Sequence, residues 1–205
     1  MSLAPGIAAE DIAMHPDFVS LLRLQGVGID LRYATRDNFV GKAVYGGLDC
    51  NYLRREAFDG LQCAADWLRE RRPEWQLLVL DALRPQRIQE ALYAELAGTP
   101  LAIYLATPER GSIHSFGMAV DVTLSDAQGR ELDMGSAFDE MDAISHPEFE
   151  AELLAQGRLR PEHLVHRGWL RAAMREAGFH GINTEWWHYD FGDRVAVRRD
   201  LPRVL

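Results

Sequence analysis

The stretch Ser112-Ile113-His114-Ser115-Phe116-Gly117-Met118-Ala119-Val120-Asp121, running on through Val122-Thr123-Leu124, decides the fold. From Gly117 to Leu124 the chain alternates, with Val120, Val122 and Leu124 on one face and Ala119, Asp121 and Thr123 on the other. A period of two marks a strand. His114 stands in a glycine-flanked turn just before it. Outward from this strand, Val27, Ile29 and Leu31 alternate with Gly28, Asp30 and Arg32 as a short half-buried strand. Leu77–Leu80 reads as a buried strand, and Glu185–Phe191 as a terminal aromatic one. Helices are expected between them. Leu53, Ala57, Phe58, Leu61, Ala64, Ala65 and Leu68 recur at helical spacing, with Asn51 as cap and Pro73 as stop. Pro85 suits the first turn of a second helix carrying Ile88, Ala91, Leu92 and Leu96, with Gly98 beyond its end. Glu148–Leu154 and Pro161–Ala177 predict two more, the latter closed by Gly178, and Thr35–Cys50 reads as a long ordered loop. The order lacks a regular βαβ rhythm. The expectation is α+β: one domain over residues 1–205, with a mostly antiparallel central sheet and flanking helices.

The 205 residues suit one domain. Hydrophobic residues at 47% and charged residues at 26% describe an ordinary globular chain. The net charge is −9 and the basic residues are scattered, which excludes nucleic acid as the main partner. The lone lysine, Lys42, is followed by Ala43, so no Walker-A phosphate loop exists. Cys50 and Cys63 form no C-x-x-C pair, which argues against a thiolate zinc cage and for two reduced core thiols. The opening MSLAPGIAAED has no basic or long apolar leader segment, and Leu101–Ala106 is far short of the ~20 residues that span a membrane. No membrane association and a cytoplasmic location are expected. Nothing in the sequence sets an oligomeric state.

Asp121 lies opposite the aliphatic row of its strand, and an unpaired buried charge is costly. A metal ion shared with His114 supplies a partner. Glu185-Trp186-Trp187-His188 offers a second imidazole and a second carboxylate, flanked by aromatics that shield a site from water. Residues three apart on a regular strand point to opposite faces. Glu185 and His188 therefore converge only if Glu185 precedes the strand, in a bend predicted at Asn183-Thr184. His114, Asp121 and His188 make three ligands, the number a catalytic zinc takes while leaving one position open. Glu185 is left over as a base, which completes a metallohydrolase. Singly, His114 reads as a turn residue, Asp121 as a partner for an arginine, and Arg84 as a strand-end salt-bridge donor. Their joint occurrence favours the metal. His163 and His166 share a helix face but lack a third ligand nearby in sequence, so they read as a surface helix. His15, His146 and His180 read as structural.

The pattern Ser-x-His-x-x-Gly-x-Ala-x-Asp followed by Glu-x-Trp-His resembles the zinc D-alanyl-D-alanine dipeptidases of the VanX/DdpX type, within the wider D-Ala-D-Ala peptidase and Hedgehog-like group. Asp30-Leu31-Arg32-Tyr33-Ala34-Thr35 with Asn38-Phe39-Val40-Gly41, Asp81-Ala82-Leu83-Arg84-Pro85, and Asp133-Met134-Gly135-Ser136-Ala137-Phe138-Asp139 look like it too, so the resemblance runs from Ile29 to Phe191. It implies one Zn2+ on His114, Asp121 and His188, with Glu185 as general base and then general acid. It implies that Arg84 steadies the developing oxyanion and that Ser112 lines the substrate pocket. Asp139 would hold the substrate's ammonium, with Glu140 and Asp142 as alternatives. The implied reaction is hydrolysis of D-Ala-D-Ala to two D-alanines, serving vancomycin resistance or D-alanine recovery in cell-wall metabolism. Two other readings stand beside it: a D,D- or L,D-carboxypeptidase trimming peptidoglycan stems, and a non-catalytic zinc-containing binding module.

Overall fold

A computed structural model describes residues 6–205; the first five residues of the segment read for a leader lie outside it. The strand predicted around Asp121 is β5, and it lies at the centre of the sheet. In chain order the elements are β1 (Phe18–Ser20), β2 (Val27–Ile29), β3 (Tyr52–Arg54), α1 (Arg55–Arg71), β4 (Trp75–Asp81), α2 (Gln86–Leu96), β5 (Ala119–Asp126), α3 (Glu150–Ala155), α4 (Pro161–Glu176), β6 (Phe179–Gly181), β7 (His188–Phe191) and α5 (Arg194–Asp200). Five strands form one sheet in the order β2-β4-β5-β7-β6, and β1 pairs with β3 in a separate ribbon. Only the β2–β4 pairing in the large sheet is parallel. The fold is α+β with a mostly antiparallel sheet and flanking helices, as expected.

Burial explains why β5 is central. Every residue from Ala119 to Ser125 is buried, so both faces of the strand are covered. The apolar stripe of α1, Ala57, Leu61, Ala64, Ala65 and Leu68, is buried, and α1 packs on β4 and α4. Alternation leaves Asp121 on the face opposite Val120 and Val122.

Two registers place functional side chains. On the β5–β7 ladder Asp121 lies directly opposite His188. Cross-strand neighbours stand about 4.5–5.5 Å apart at Cβ, so residues distant in sequence become adjacent. On the β4–β5 ladder a register shift between Val79 and Asp81 puts Asp81 opposite Asp121. An irregularity of this kind re-aims a side chain where a regular strand would not.

Several local expectations need correction. Asn51 is not the cap of α1: Tyr52–Arg54 are extended and pair with Phe18–Ser20, so the helix starts at Arg55. Leu53, counted in the helical stripe, is buried on that strand. Pro85 is the residue before α2 rather than part of its first turn. Leu31 falls outside β2, all three of whose residues are half-buried. β5 begins at Ala119 because Gly117 is left-handed, with φ 68°. Glu148 and Phe149 belong to a 3-10 turn ahead of α3. The strand at His188 is not terminal, since α5 follows it. Both cysteines are free, but only Cys50 is buried; Cys63 is exposed on α1. His163 is buried rather than on a solvated helix face. Among the described residues no helix is long and apolar enough to cross a membrane.

Candidate metal centre and its cavity

His114 is set by a short 3-10 turn, Ile113–Phe116. The Ser112 hydroxyl accepts a hydrogen bond from the His114 N–H at 3.3 Å, and Gly117 ends the turn. Glycine is required there twice over. Its φ is positive, and a Cβ would lie 2.5 Å from a Phe18 ring carbon. The next residues enter β5, which carries Asp121. Glu185 follows bends at Asn183 and Thr184 and precedes β7, as the spacing predicted.

Three donor atoms meet. His114 Nε2 lies 3.1 Å from His188 Nδ1, and His188 Nδ1 lies 3.0 Å from Asp121 Oδ1. His114 Nε2 is 3.3 Å from Asp121 Oδ1. The far nitrogen of each ring is already committed. His114 Nδ1 stands 2.7 Å from the Ala82 carbonyl, which can only accept, so that nitrogen carries the hydrogen. His188 Nε2 donates to Asp190 Oδ1 at 2.9 Å. Without an ion, burial opposes a protonated His188, but Asp190 and Asp121 on either side of the ring outweigh it and favour that form. With the ring neutral and its hydrogen on Nε2, both inward nitrogens would offer lone pairs beside a carboxylate oxygen, an arrangement that a cation favours. A tetrahedral zinc with bonds of about 2.0–2.1 Å separates its ligand atoms by about 3.3 Å. The triad fits the ion in donor type and spacing.

Arg84 is buried beside it. Its Nε donates to Asp81 Oδ2 at 2.8 Å, its Nη1 to Gln89 Oε1 at 3.1 Å and its Nη2 to Asp121 Oδ2 at 3.3 Å. The second oxygen of Asp81 accepts from the Tyr45 hydroxyl. The guanidinium also lies 4.8 Å from the centre of the Tyr33 ring. Its orientation is fixed on every side.

A cavity of about 250 Å³ opens on this group, lined by Arg84, Ser112, His114, Asp121, Asp139, Glu185 and His188 among others. All seven residues singled out from the sequence thus border one space. Of the three acids left open, only Asp139 reaches it. Its carboxylate accepts from the Tyr33 hydroxyl at 3.1 Å and from the Phe39 N–H at 3.3 Å. Asp139 adopts φ 61°, a left-handed conformation that Asp visits more readily than most residues. Glu140 instead accepts from the Ala137 N–H, and Asp142 caps the following turn and pairs with Arg158. Burial pushes the Glu185 carboxyl up to about 8 and, with Asp121 adding to it, the Asp139 carboxyl up to about 7.

Four supporting residues had no role in the sequence reading: Asp190 and Gln89, which it did not single out, and Asp81 and Tyr33, which it quoted only within the resembling stretches. Asp190 had a signal, since it lies two residues from His188 on the same strand face. Burial works against its charge, but His188 and Arg194 outweigh it and hold its carboxyl below the usual range. Replacing Asp190 with asparagine should weaken zinc binding about 10–100-fold, because the hydrogen bond that orients the His188 ring loses its charge. Competition with a chromophoric chelator checks this, and unchanged affinity would remove Asp190 from the support.

His163 does gather acids, Asp133 and Glu162, into a second cluster. Arg160 already fills it, 2.6 Å from Asp133, 2.7 Å from Glu162 and 3.0 Å from the His163 ring. The guanidinium supplies the charge a metal would bring.

The peptidase M15 family, described as D-ala-D-ala dipeptidase, matches residues 17–204. The chain is similar to a D-alanyl-D-alanine dipeptidase of Escherichia coli (strain K12), 38% identical over 162 residues, 79% of this chain and 77% of the relative. It is similar to one of Enterococcus faecium, 32% identical over 200 residues, 87% of this chain and 89% of the relative. Among solved structures it resembles the LdcB LD-carboxypeptidase, with a TM-score of 0.47 and 18% identity over 92% of this chain and 75% of that one.

Proposed function

Since the chain belongs to the D-ala-D-ala dipeptidase family, we propose that it hydrolyses the free dipeptide D-Ala-D-Ala to two D-alanines at one zinc ion on His114, Asp121 and His188. The observation that carries this is the inward convergence of three donor atoms within 3.3 Å, with both rings tied back by their other nitrogen. When bound, zinc supplies a Lewis acid that acidifies a water and polarises the scissile carbonyl.

The chain's own residues do the rest. Glu185 takes a proton from the attacking water and passes it to the leaving amine. Arg84 is held by Asp81, Gln89 and Asp121 before substrate arrives, so it meets the developing oxyanion without reorganising. Asp139 pairs with the free ammonium of the dipeptide, and Ser112 borders the bound substrate. A longer stem peptide lacks that ammonium at the same distance and leaves a buried acid without a partner, which selects the dipeptide. Such a substrate is a soluble metabolite, and the cytoplasm is the compartment proposed for the enzyme. Offering a stem pentapeptide beside the free dipeptide tests the selectivity. Preference for the longer substrate would favour the carboxypeptidase reading.

The raised carboxyl values set a pH dependence. Asp139 and Glu185 both work ionised, so kcat/KM is full above their values and falls as the pH drops through them. A cation on the triad lowers both values, Glu185 directly and Asp139 by offsetting the Asp121 charge; burial, the largest cause of the Asp139 shift, remains and makes that carboxyl the origin of an acid limb below its metal-free value of about 7. Substituting Asp139→Asn should raise KM and flatten that limb. A limb at the same pH in the variant would reassign it.

A further inference from the structure

The chain is acidic overall, yet arginines concentrate on one wall of the cavity. Arg110, Arg194 and Arg198 all line it. Arg194 is paired with Asp190. Among the described residues no carboxylate lies within 4.0 Å of Arg110 or Arg198. Arg198 lies on α5, where its Nε donates to the Gly111 carbonyl at 3.2 Å. Arg203 fixes the same segment, donating to the carbonyls of Pro108, Glu109 and Arg110 at 2.9–3.2 Å. Gly111 has φ 73°, and a Cβ there would come within 2.7 Å of the Arg203 guanidinium carbon. A side chain at 111 would push the strap off its anchor. The segment 108–112 is thus held rigidly, and it leads directly into Ser112 at the cavity wall.

We propose that Arg110 and Arg198 recognise the free carboxylate at the C-terminal end of the substrate, a reading that rests on the dipeptidase function above. The two ends of a dipeptide carry opposite charges. Asp139, held by Tyr33 and Phe39, answers the ammonium. The other end needs a cation that is not already spent. Arg84, held by Asp81 and Asp121, is assigned to the oxyanion, and Arg194 is paired with Asp190. Burial, followed by the like charge of Arg110, holds Arg198 below the usual arginine value; Asp190 opposes this, and Arg194 and Arg203 add to it. An incoming carboxylate relieves that repulsion. It also meets planar forks that match its two oxygens.

The test compares D-Ala-D-Ala with its C-terminal amide, D-Ala-D-Ala-NH2, on the zinc-loaded wild type and on Arg198→Gln and Arg110→Gln. The wild type should prefer the acid by about 10–100-fold in kcat/KM, the range a charge-assisted contact supports. Each variant should lose most of that preference through a higher KM for the acid, with kcat and the amide little changed. Binding of D-Ala-D-Ala to the Glu185→Gln protein, read by calorimetry, should weaken by the same factor when Arg198 is also replaced. A wild type without preference, a preference that survives both substitutions, or an equal loss on both substrates would overturn the assignment. A wild type inert on both substrates would overturn the dipeptidase reading and this one with it.

Discussion

Replacing Glu185 with glutamine should lower kcat for D-Ala-D-Ala by about 100- to 10,000-fold while the protein keeps one zinc per chain. Glutamine has the shape of glutamate and no basic oxygen, so the cavity stays filled and only proton transfer is lost. Glu185 is not counted among the three ligands, so metal content separates a lost base from a lost site. Stability gives a second control. Burial raises the Glu185 carboxyl to about 8, so ionising it in the metal-free fold opposes folding. A neutral glutamine should therefore hold or raise the Tm of the stripped protein at pH 8. Rapid-quench rates, metal analysis and thermal melts on one preparation check all three. A zinc-loaded variant as fast as the wild type would remove Glu185 from the chemistry and favour a non-catalytic module.

Arg84→Lys should cost about 100- to 1,000-fold in kcat, the loss that follows removal of one oxyanion donor. Lysine keeps the charge but not the fork. Three fixed contacts, to Asp81, Gln89 and Asp121, cannot all be made by one ammonium. The substitution should also lower stability. The charge stays, but a buried polar group left without its hydrogen bond costs about 1–3 kcal/mol, and Asp81 is fully buried. Chemical denaturation measures that part. A zinc on the proposed triad would neutralise Asp121 but not touch Asp81, so loading with metal should recover only part of the lost stability. A variant with wild-type kcat would mean that Arg84 serves the fold alone.

The sequence carried the centre of the site more fully than its surroundings. β5 was legible because alternation over eight residues is a local signal. His114, Asp121, Glu185 and His188 were legible because their spacing within two short segments is local too, and the bend at 183–184 followed from strand geometry. The pairing of three-residue strands β1 and β3 was not, since it joins segments whose local pattern favours extending the helix back to Asn51. The same holds for Asp81, which meets Asp121 through a shift of register between two strands. Arg110 and Arg198 come together only because α5 folds back onto the 108–112 segment. Nothing near Arg198 in sequence announces that. His163 was misplaced for a related reason: helical periodicity gave its face, but not the Asp133 loop that covers it.

Titrating the metal-stripped protein with zinc, while following bound metal and D-Ala-D-Ala hydrolysis together, tests the account most directly. Hydrolysis should be absent at the start, rise linearly and level off at one zinc per chain, with L-Ala-L-Ala left uncut throughout. Full hydrolysis in the stripped protein, or one bound zinc with no cleavage of D-Ala-D-Ala, would contradict it.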